Sequence, residues 1–396
     1  MNISKLFQPR AISRILILII AVSLFFRHSQ DFKSGSKIAG DFKVYHLAAT
    51  RIGNKLNPYI ETESSPYKYS PAALVPLRFL PENENHAWAL FKLICMISFC
   101  LSIFMGFVAR SWRDVLCVSF GLLLSWKGLI ETLDYGQLEF LVLFGVILAA
   151  KTFKKYKRTT GFILGLLPLI KLPWVFLTIP FTILSLRAGS SKLIDLSMGF
   201  VLGFLGFGFF APILFFGFDE TITLMHSWVI LLKHQPSELY LNDMNQSIWS
   251  TASRLSNVHW VLGVSVLGTS LILCSLALLK LIPSLYRKAT LDKPLAQLTP
   301  WLILMQLFNP LSWRWGSMLL IGLPLAVDLN SNTKKWPTWL GISLFIILFL
   351  LQLNPIARSL GVKTAADFHH FGLITFYWLL SITLCTKPKM KTTTQS

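Results

Sequence analysis

The sequence predicts an all-α polytopic membrane protein, and three observations carry that prediction. Charged residues make up only 14% of the 396, against roughly a quarter in soluble domains, while 54% are apolar. Apolar runs of helix length recur along the whole chain, with short polar segments between them. The 37 Lys and Arg gather in those short segments, which is how cations mark membrane topology. The formal charge of +19 therefore speaks for orientation in a membrane and not for nucleic acid, since no basic helix or soluble module with interleaved aromatics accompanies it.

Taken in order, spans are expected near 11–27, 87–109, 115–131, 137–150, 160–170, 173–186, 193–217, 258–280, 298–308, 311–329, 337–354 and 369–386. That makes about 12 transmembrane or half-membrane helices, several of them too short to cross ~30 Å alone at about 1.5 Å per residue. The first has the outline of a signal peptide, with Lys5, Arg10 and Arg14 ahead of Ile15–Phe26. No small-residue cleavage site precedes Arg27, so a retained helix is expected. The pairs 160–170/173–186 and 298–308/311–329 break near Pro173 and Pro310. Each reads as two helices meeting at an outer turn; one long kinked span is the alternative. Gly199, Gly203 and Gly206 stand near helical spacing and predict close helix packing.

Orientation follows from the cations. Segments around Lys5–Arg14, Arg110–Arg113, Lys151–Arg158, Arg187–Lys192, Lys280–Lys293, Lys334–Lys335 and Lys387–Lys391 hold 21 of the 37 Lys and Arg. Placing them inside predicts a multi-pass protein of the cell (inner) membrane, both termini cytoplasmic. The chain reads as one membrane domain, 1–396. Two long polar stretches, 28–86 and 218–257, then lie outside as a cap, and 387–396 is a basic cytoplasmic tail.

Cys95, Cys100, Cys117, Cys274 and Cys385 all sit in apolar segments without a C-x-x-C pair, so they read as buried small hydrophobes. The histidines lack ligand spacing of the H-E-x-x-H kind, and Asp134, Asp219, Glu220 and Asp243 have no spacing that fixes an ion. Neither a metal nor a cofactor is expected.

The longest polar stretch runs from Gly40 to Pro71. Asp41 follows a glycine and precedes an amphipathic pattern of Phe42, Tyr45, Ala48, Ala49 and Ile52. Asn57-Pro58-Tyr59 marks a turn, and Tyr67-Lys68-Tyr69-Ser70-Pro71 an aromatic-proline ending. On residues alone two readings of Asp41 stay open: a helix N-cap, or a carboxylate sheltered by Phe42 and Tyr45 with the raised proton affinity of a base. Lys171, between Leu169-Ile170 and Leu172-Pro173, is either a functional intramembrane cation or a snorkelling interface lysine. Lys92 and Lys127 also fall in apolar spans, with Glu139 a candidate partner of Lys127.

The order of these motifs resembles glycosyltransferase family 87, the polyprenol-phosphate-mannose-dependent mannosyltransferases of the GT-C superfamily. Asp41-Phe42-Lys43-Val44-Tyr45 resembles its aspartate-aromatic-tyrosine opening, and Asn57-Pro58-Tyr59 with Tyr69-Ser70-Pro71 its turn and tyrosine-proline motif. Gly136-Gln137, Gly165-Leu166 through Lys171, Asn245-Gln246-Ser247 with Arg254, and Asn309-Pro310-Leu311-Ser312-Trp313 follow in the family's order. Arg314-Trp315-Gly316 stands where many members carry a histidine, so any role of that histidine is met differently here or is absent.

The resemblance implies a GT-C-like fold and an inverting transfer of a sugar, mannose by analogy, from a polyprenyl-phosphate donor. The acceptor is a glycan or lipid at the outer face, and the surrounding partners are membrane lipids. It favours Asp41 as the catalytic base. Lys171, Arg254 and Arg314 become ligands of the donor phosphate, because cations at a leaving phosphate oxygen stabilise its developing charge. Tyr45, Tyr59 and Tyr69, with Tyr67, Trp249, Asn245 and Gln246, would contact sugar or acceptor; the bland alternative for the aromatics is an interface belt. A transporter or flippase for a lipid-linked glycan would use intramembrane cations equally well, although no internal repeat is detected.

Overall fold

The computed structural model describes residues 8–33, 40–59, 66–107, 111–234, 241, 245, 247–287, 291, 293–309 and 321–322. These residues form helices and no β-strand. Helices α1 (Pro9–Lys33) and α2 (Gly40–Gly53) are followed by a short α3 (Pro71–Leu77). Then come α4 (Glu84–Gly106), α5 (Trp112–Asp134), α6 (Glu139–Thr152) and α7 (Lys157–Ile170). A 3-10 turn over Leu172–Leu177 leads to α8 (Thr178–Ala188) and α9 (Ser190–Val201), which runs through a π-helical stretch, Leu202–Phe210, into α10 (Ala211–Phe216). The rest are α11 (Phe218–Lys233), α12 (Ile248–Val258), α13 (Trp260–Arg287) and α14 (Pro294–Phe308).

Among the described residues three helices are long and apolar enough to cross a membrane: Glu84–Gly106, Ser190–Phe216 and Trp260–Pro283. A fourth joins them if Trp112–Leu123 and Gly128–Asp134, bent by 52°, are one span. Ala11–Phe26 and Leu172–Ala188 are shorter apolar helices. The spans expected at 311–329, 337–354 and 369–386 lie outside the described residues.

The centre of the bundle is α6. It is apolar on every side, and Phe140, Val142, Leu143, Val146, Ile147 and Ala149 are fully buried; a helix without a polar face has to be enclosed. Its neighbours α4 and α7 enclose it. With 14 residues it reaches only about 21 Å, less than a bilayer core, so it serves as a core strut. The α6–α7 hairpin puts Glu139 and Lys171 at one end and Lys151, Lys154, Lys155, Lys157 and Arg158 at the other.

The expected break between 160–170 and 173–186 is present. α7 stops at Ile170, Lys171 is extended, and Pro173 falls in the 3-10 turn. Proline has no N–H to bond the carbonyl four residues back, which here is that of Leu169. That carbonyl instead accepts a hydrogen bond from the Ser70 hydroxyl at 2.6 Å. The helix break thus creates the anchor for a distant segment.

The stretches 28–86 and 218–257, read from sequence as loops, are largely helical where described. α2 and α3 lie in the first, α11 and α12 in the second. Their amphipathic patterns win over their polarity because each has something to bury against: α2 inserts Phe42, Tyr45, Ala48 and Ile52, and α11 buries Thr221, Leu224 and Leu231. The two stretches meet, with Asn57 Nδ2 donating to Ser227 Oγ at 3.1 Å and Trp228 Nε1 to the Lys68 carbonyl at 2.9 Å.

Close packing through glycine occurs where α7 crosses α9. A Cβ on Gly199 would stand 1.9 Å from the Arg158 carbonyl oxygen, and one on Gly203 2.2 Å from that of Phe162. From the other side, Gly161 and Gly165 would meet the carbonyls of Leu196 and Phe200 at 2.0 and 2.4 Å. Gly206 faces open space and takes no part. Gly199→Ala is therefore expected to cost at least about 1–3 kcal/mol by overpacking, seen as a lower Tm of the purified protein in detergent. Gly206→Ala should leave Tm unchanged; equal effects would contradict the packing.

Candidate active site

The site is built on α2. Burying Phe42, Tyr45, Ala48 and Ile52 presses one face of α2 against the bundle, with the Phe42 ring 4.9 Å from Trp88 and 5.2 Å from Phe91. Asp41, next to Phe42, is held half-buried at the edge of that contact. It lies inside the first turn of the described helix, not ahead of it. Among the described residues its carboxylate accepts no hydrogen bond and makes no ion pair, so it is not used as a cap there.

The floor under Asp41 is the turn from α5 to α6. The Gly136 N–H bonds the Leu133 carbonyl and the Gln137 N–H the Thr132 carbonyl, at 3.2 and 2.9 Å. This is a Schellman ending, with Gly136 in the left-handed region at φ 68°. Space demands glycine as well, since a Cβ there would lie 2.8 Å from the Trp88 ring and 2.9 Å from Phe42 Cβ. The turn delivers Gln137 and Glu139, both buried. Across from them Lys171, at the end of α7, donates to Gln137 Oε1 at 3.1 Å and pairs with Glu139 Oε1. Glu139 thus pairs with Lys171; the side chain of Lys127, its candidate partner from sequence, lies outside the described residues. Glu139 Oε2 is buried without a partner among the described residues. Lys92 lies over the Trp88 ring at 4.3 Å.

The wall is a tyrosine cluster. Tyr45 and Tyr69 share a hydroxyl–hydroxyl hydrogen bond of 2.7 Å with their rings edge to face at 5.2 Å. The Tyr59 hydroxyl donates to the Tyr69 carbonyl at 2.9 Å. Tyr67 lies between them with tilted rings, its centroid 5.6 Å from Tyr59 and 5.5 Å from Tyr69. Asn57 makes the expected turn, its Oδ1 accepting from the Tyr59 N–H at 2.9 Å. Tyr45, Tyr59 and Tyr67 are 1, 5 and 2% exposed, so they are packed core and offer no ring face to a ligand. Tyr69 is half-buried.

Charges converge on this edge of α2. Burial pushes the Asp41 carboxyl from 3.8 up to about 6; Lys171 and Lys68 pull it down and Glu139 pushes it up. Burial lowers the Lys68 ammonium, against the attraction of Asp41. Burial also raises the Tyr69 phenol to about 12. A carboxylate raised by burial to about 6, unpaired among the described residues and within the charge field of two cations, is able to take a proton from a hydroxyl while an anion leaves nearby.

The model of glycosyltransferase family 87 matches residues 67–310, more than half of the chain. The chain belongs to glycosyltransferase family 87. It is a membrane glycosyltransferase, acting with a sugar donor and an acceptor. No curated protein and no solved structure matches it. The match begins at Tyr67, so Asp41 precedes it, and the packing of α2 on the matched part brings Asp41 within the charge field of Lys171.

Of the other expected site residues of this glycosyltransferase, Asn245 and Arg254 are built into the start of α12. Asn245 Oδ1 accepts from the Ser247 N–H at 3.2 Å, and Ser247 caps α12 by accepting from the Ser250 N–H at 3.0 Å. The Asn-Gln-Ser motif thus builds a helix start. Arg254, half-buried on α12, donates to Ser250 Oγ at 2.6 Å. α12 packs on α13 and α14, and the charges acting most on Asp41 do not include Arg254. Trp249 donates to the Phe308 carbonyl at 3.0 Å, at the end of α14. Gln246 and Arg314 lie outside the described residues. Two residues beside Asp41 were not singled out as site residues from sequence. Glu139 opens an apolar helix and Lys68 sits in a tyrosine motif; a charge in such a setting was the available signal.

The raised carboxyl makes a stability prediction with a definite sign. Its folded pKa of about 6 exceeds 3.8, so ionised Asp41 costs stability above pH 6, less between 6 and 3.8, and nothing below. Asp41→Asn is expected to raise Tm near pH 8, with the gain shrinking as pH falls through 6. A lower Tm near pH 8 would make the carboxylate a structural group.

Proposed function

We propose that the protein transfers a sugar, mannose by the family resemblance, from a polyprenyl-phosphate donor to a hydroxyl of a glycan or lipid acceptor, with inversion, at the outer face of the membrane. The observation that carries this reading is Asp41: half-buried, unpaired among the described residues and raised to about 6, within the charge field of Lys171 and Lys68. In the proposed step the acceptor oxygen bonds the anomeric carbon as that carbon's bond to the phosphate oxygen breaks. The electron pair leaves with the lipid phosphate and the hydroxyl proton goes to Asp41.

Tyr69 is the aromatic offered to the sugar. Tyr45 and Tyr59 hold it from beneath, through the hydroxyl of one and the backbone bond of the other. Lys171 sets the charge of the pocket, while Arg254, Arg314, Asn245 and Gln246 are assigned to the donor and acceptor ends on the resemblance. The outward orientation is supported by the basic cluster of Lys151–Arg158 at the opposite end of the α6–α7 hairpin from Asp41.

Two measurements check the reading. With short-chain polyprenyl-phosphate mannose and a membrane-lipid extract, the purified protein should form a mannosylated product seen by mass spectrometry. Asp41→Asn should lower transfer by ~10² or more while donor binding persists, because the carboxylate acts on the acceptor. Transfer by the variant at the wild-type rate would remove Asp41 from the chemistry. For orientation, Asn54→Cys in a cysteine-free background should react with an impermeant maleimide on intact cells and Lys154→Cys should not. The reverse pattern would place the site on the cytoplasmic side.

A further inference from the structure

We infer that Lys68 is the cation that contacts the leaving phosphate of the lipid donor. This rests on the proposed transfer reaction and adds a residue to its site.

The inference starts from what Lys171 is already doing. Its ammonium donates to Gln137 and pairs with Glu139. A phosphate seated on it would also face the Glu139 carboxylate, whose second oxygen is buried without a partner among the described residues. Two anions on one half-buried ammonium oppose each other. Lys171 therefore belongs to the scaffold of the pocket.

Lys68 is placed differently. Its backbone is fixed on several sides. Trp228 Nε1 donates to the Lys68 carbonyl at 2.9 Å, the Tyr59 hydroxyl to the Tyr69 carbonyl at 2.9 Å, and the Ser70 hydroxyl to the Leu169 carbonyl at 2.6 Å. The Tyr69 hydroxyl is held by Tyr45 at 2.7 Å. The segment is thus pinned to α2, α7 and α11 at successive residues. Yet the Lys68 ammonium has no hydrogen bond or ion pair among the described residues, and it is half-buried and close enough for its charge to act on Asp41. A rigid backbone presenting an uncommitted, partly desolvated cation beside the base is the arrangement a phosphate ligand needs.

The charge balance agrees. The donor phosphodiester carries one negative charge and the departing lipid phosphate two. As the anomeric carbon–oxygen bond breaks, its electron pair adds charge at the bridging oxygen, where Lys68 donates a hydrogen bond, while Asp41 gains the acceptor's proton. The cation thus keeps the anionic donor from being repelled by ionised Asp41 and stabilises the group that leaves.

The test reads phosphate binding apart from transfer. A short-chain isoprenyl monophosphate is titrated into detergent-purified wild type, Lys68→Met and Lys68→Arg, with the matching isoprenyl alcohol as the uncharged control. Loss of a charge-assisted hydrogen bond is expected to weaken monophosphate binding by roughly 10- to 100-fold in Lys68→Met. Lys68→Arg should stay within about threefold of wild type, since the guanidinium also grips phosphate, and alcohol binding should not move. Unchanged monophosphate binding in Lys68→Met overturns the assignment. So does displacement of the monophosphate by equal concentrations of inorganic phosphate or phosphatidylglycerol, which would mark a general anion or headgroup site. Sugar transfer by wild type is measured on the same preparation. Transfer by wild type with unaltered binding in Lys68→Met refutes Lys68 and leaves the proposed reaction standing. Weakened binding in Lys68→Met without transfer by wild type refutes the reaction and keeps the lipid-phosphate site.

Discussion

The ion pair between Lys171 and Glu139 organises everything around the candidate site. It ties the end of α7 to the start of α6, and Gln137 shares the same ammonium. Each charge is also favoured by its helix, Glu139 at the positive N-terminus of α6 and Lys171 at the negative C-terminus of α7. Burying such a pair carries a desolvation cost that the attraction barely offsets, whereas removing one partner costs ~3–5 kcal/mol. The pair is therefore better understood as a device of placement than of stability. It sets a fixed positive charge where α2 lays Asp41 down.

The rest of the site follows from that placement. The ending of α5 at Gly136 brings Gln137 and Glu139 to Lys171 and leaves room for Phe42 and Trp88. The proline after Lys171 frees the Leu169 carbonyl, which the Ser70 hydroxyl takes. That bond, with Tyr45–Tyr69 and Trp228–Lys68, sets the tyrosine segment over the hairpin. Asp41 and Lys68 are then the two charged groups of this cluster left uncommitted among the described residues. Buried polar atoms usually satisfy one another, whereas this carboxylate and this ammonium stand half-buried without partners among the described residues.

Much of the fold was legible in the chain, because apolar length and helical spacing are local signals. The helices over 40–53, 84–106 and 190–216 follow from them, as do the turn at Asn57 and the break before Pro173. The stripe of Gly199 and Gly203 was legible too, although spacing alone could not show that Gly206 turns outward. The site was legible in its elements and not in its pairings. Glu139 and Lys171 stand 32 residues apart, and nothing local says that they meet. The tyrosines read as a ligand platform because a polar loop was expected; Tyr45, Tyr59 and Tyr67 are instead packed into the core. The Asn245 motif read as a binding loop, yet what it does locally is start a helix. Lys68 carried a sequence signal, a charge inside a tyrosine motif, but its lack of a partner among the described residues is visible only in the packing.

The central claim is that Asp41, unpaired among the described residues, is a carboxylate tuned by burial to act as a base near neutral pH. The pH dependence of single-turnover sugar transfer, with donor saturating, tests it most directly. The rate should rise with pH through an apparent pKa near 6 and level off above it, as a base that must be ionised requires. A rate that stays level down to about pH 4, the range of an ordinary exposed aspartate, would contradict it.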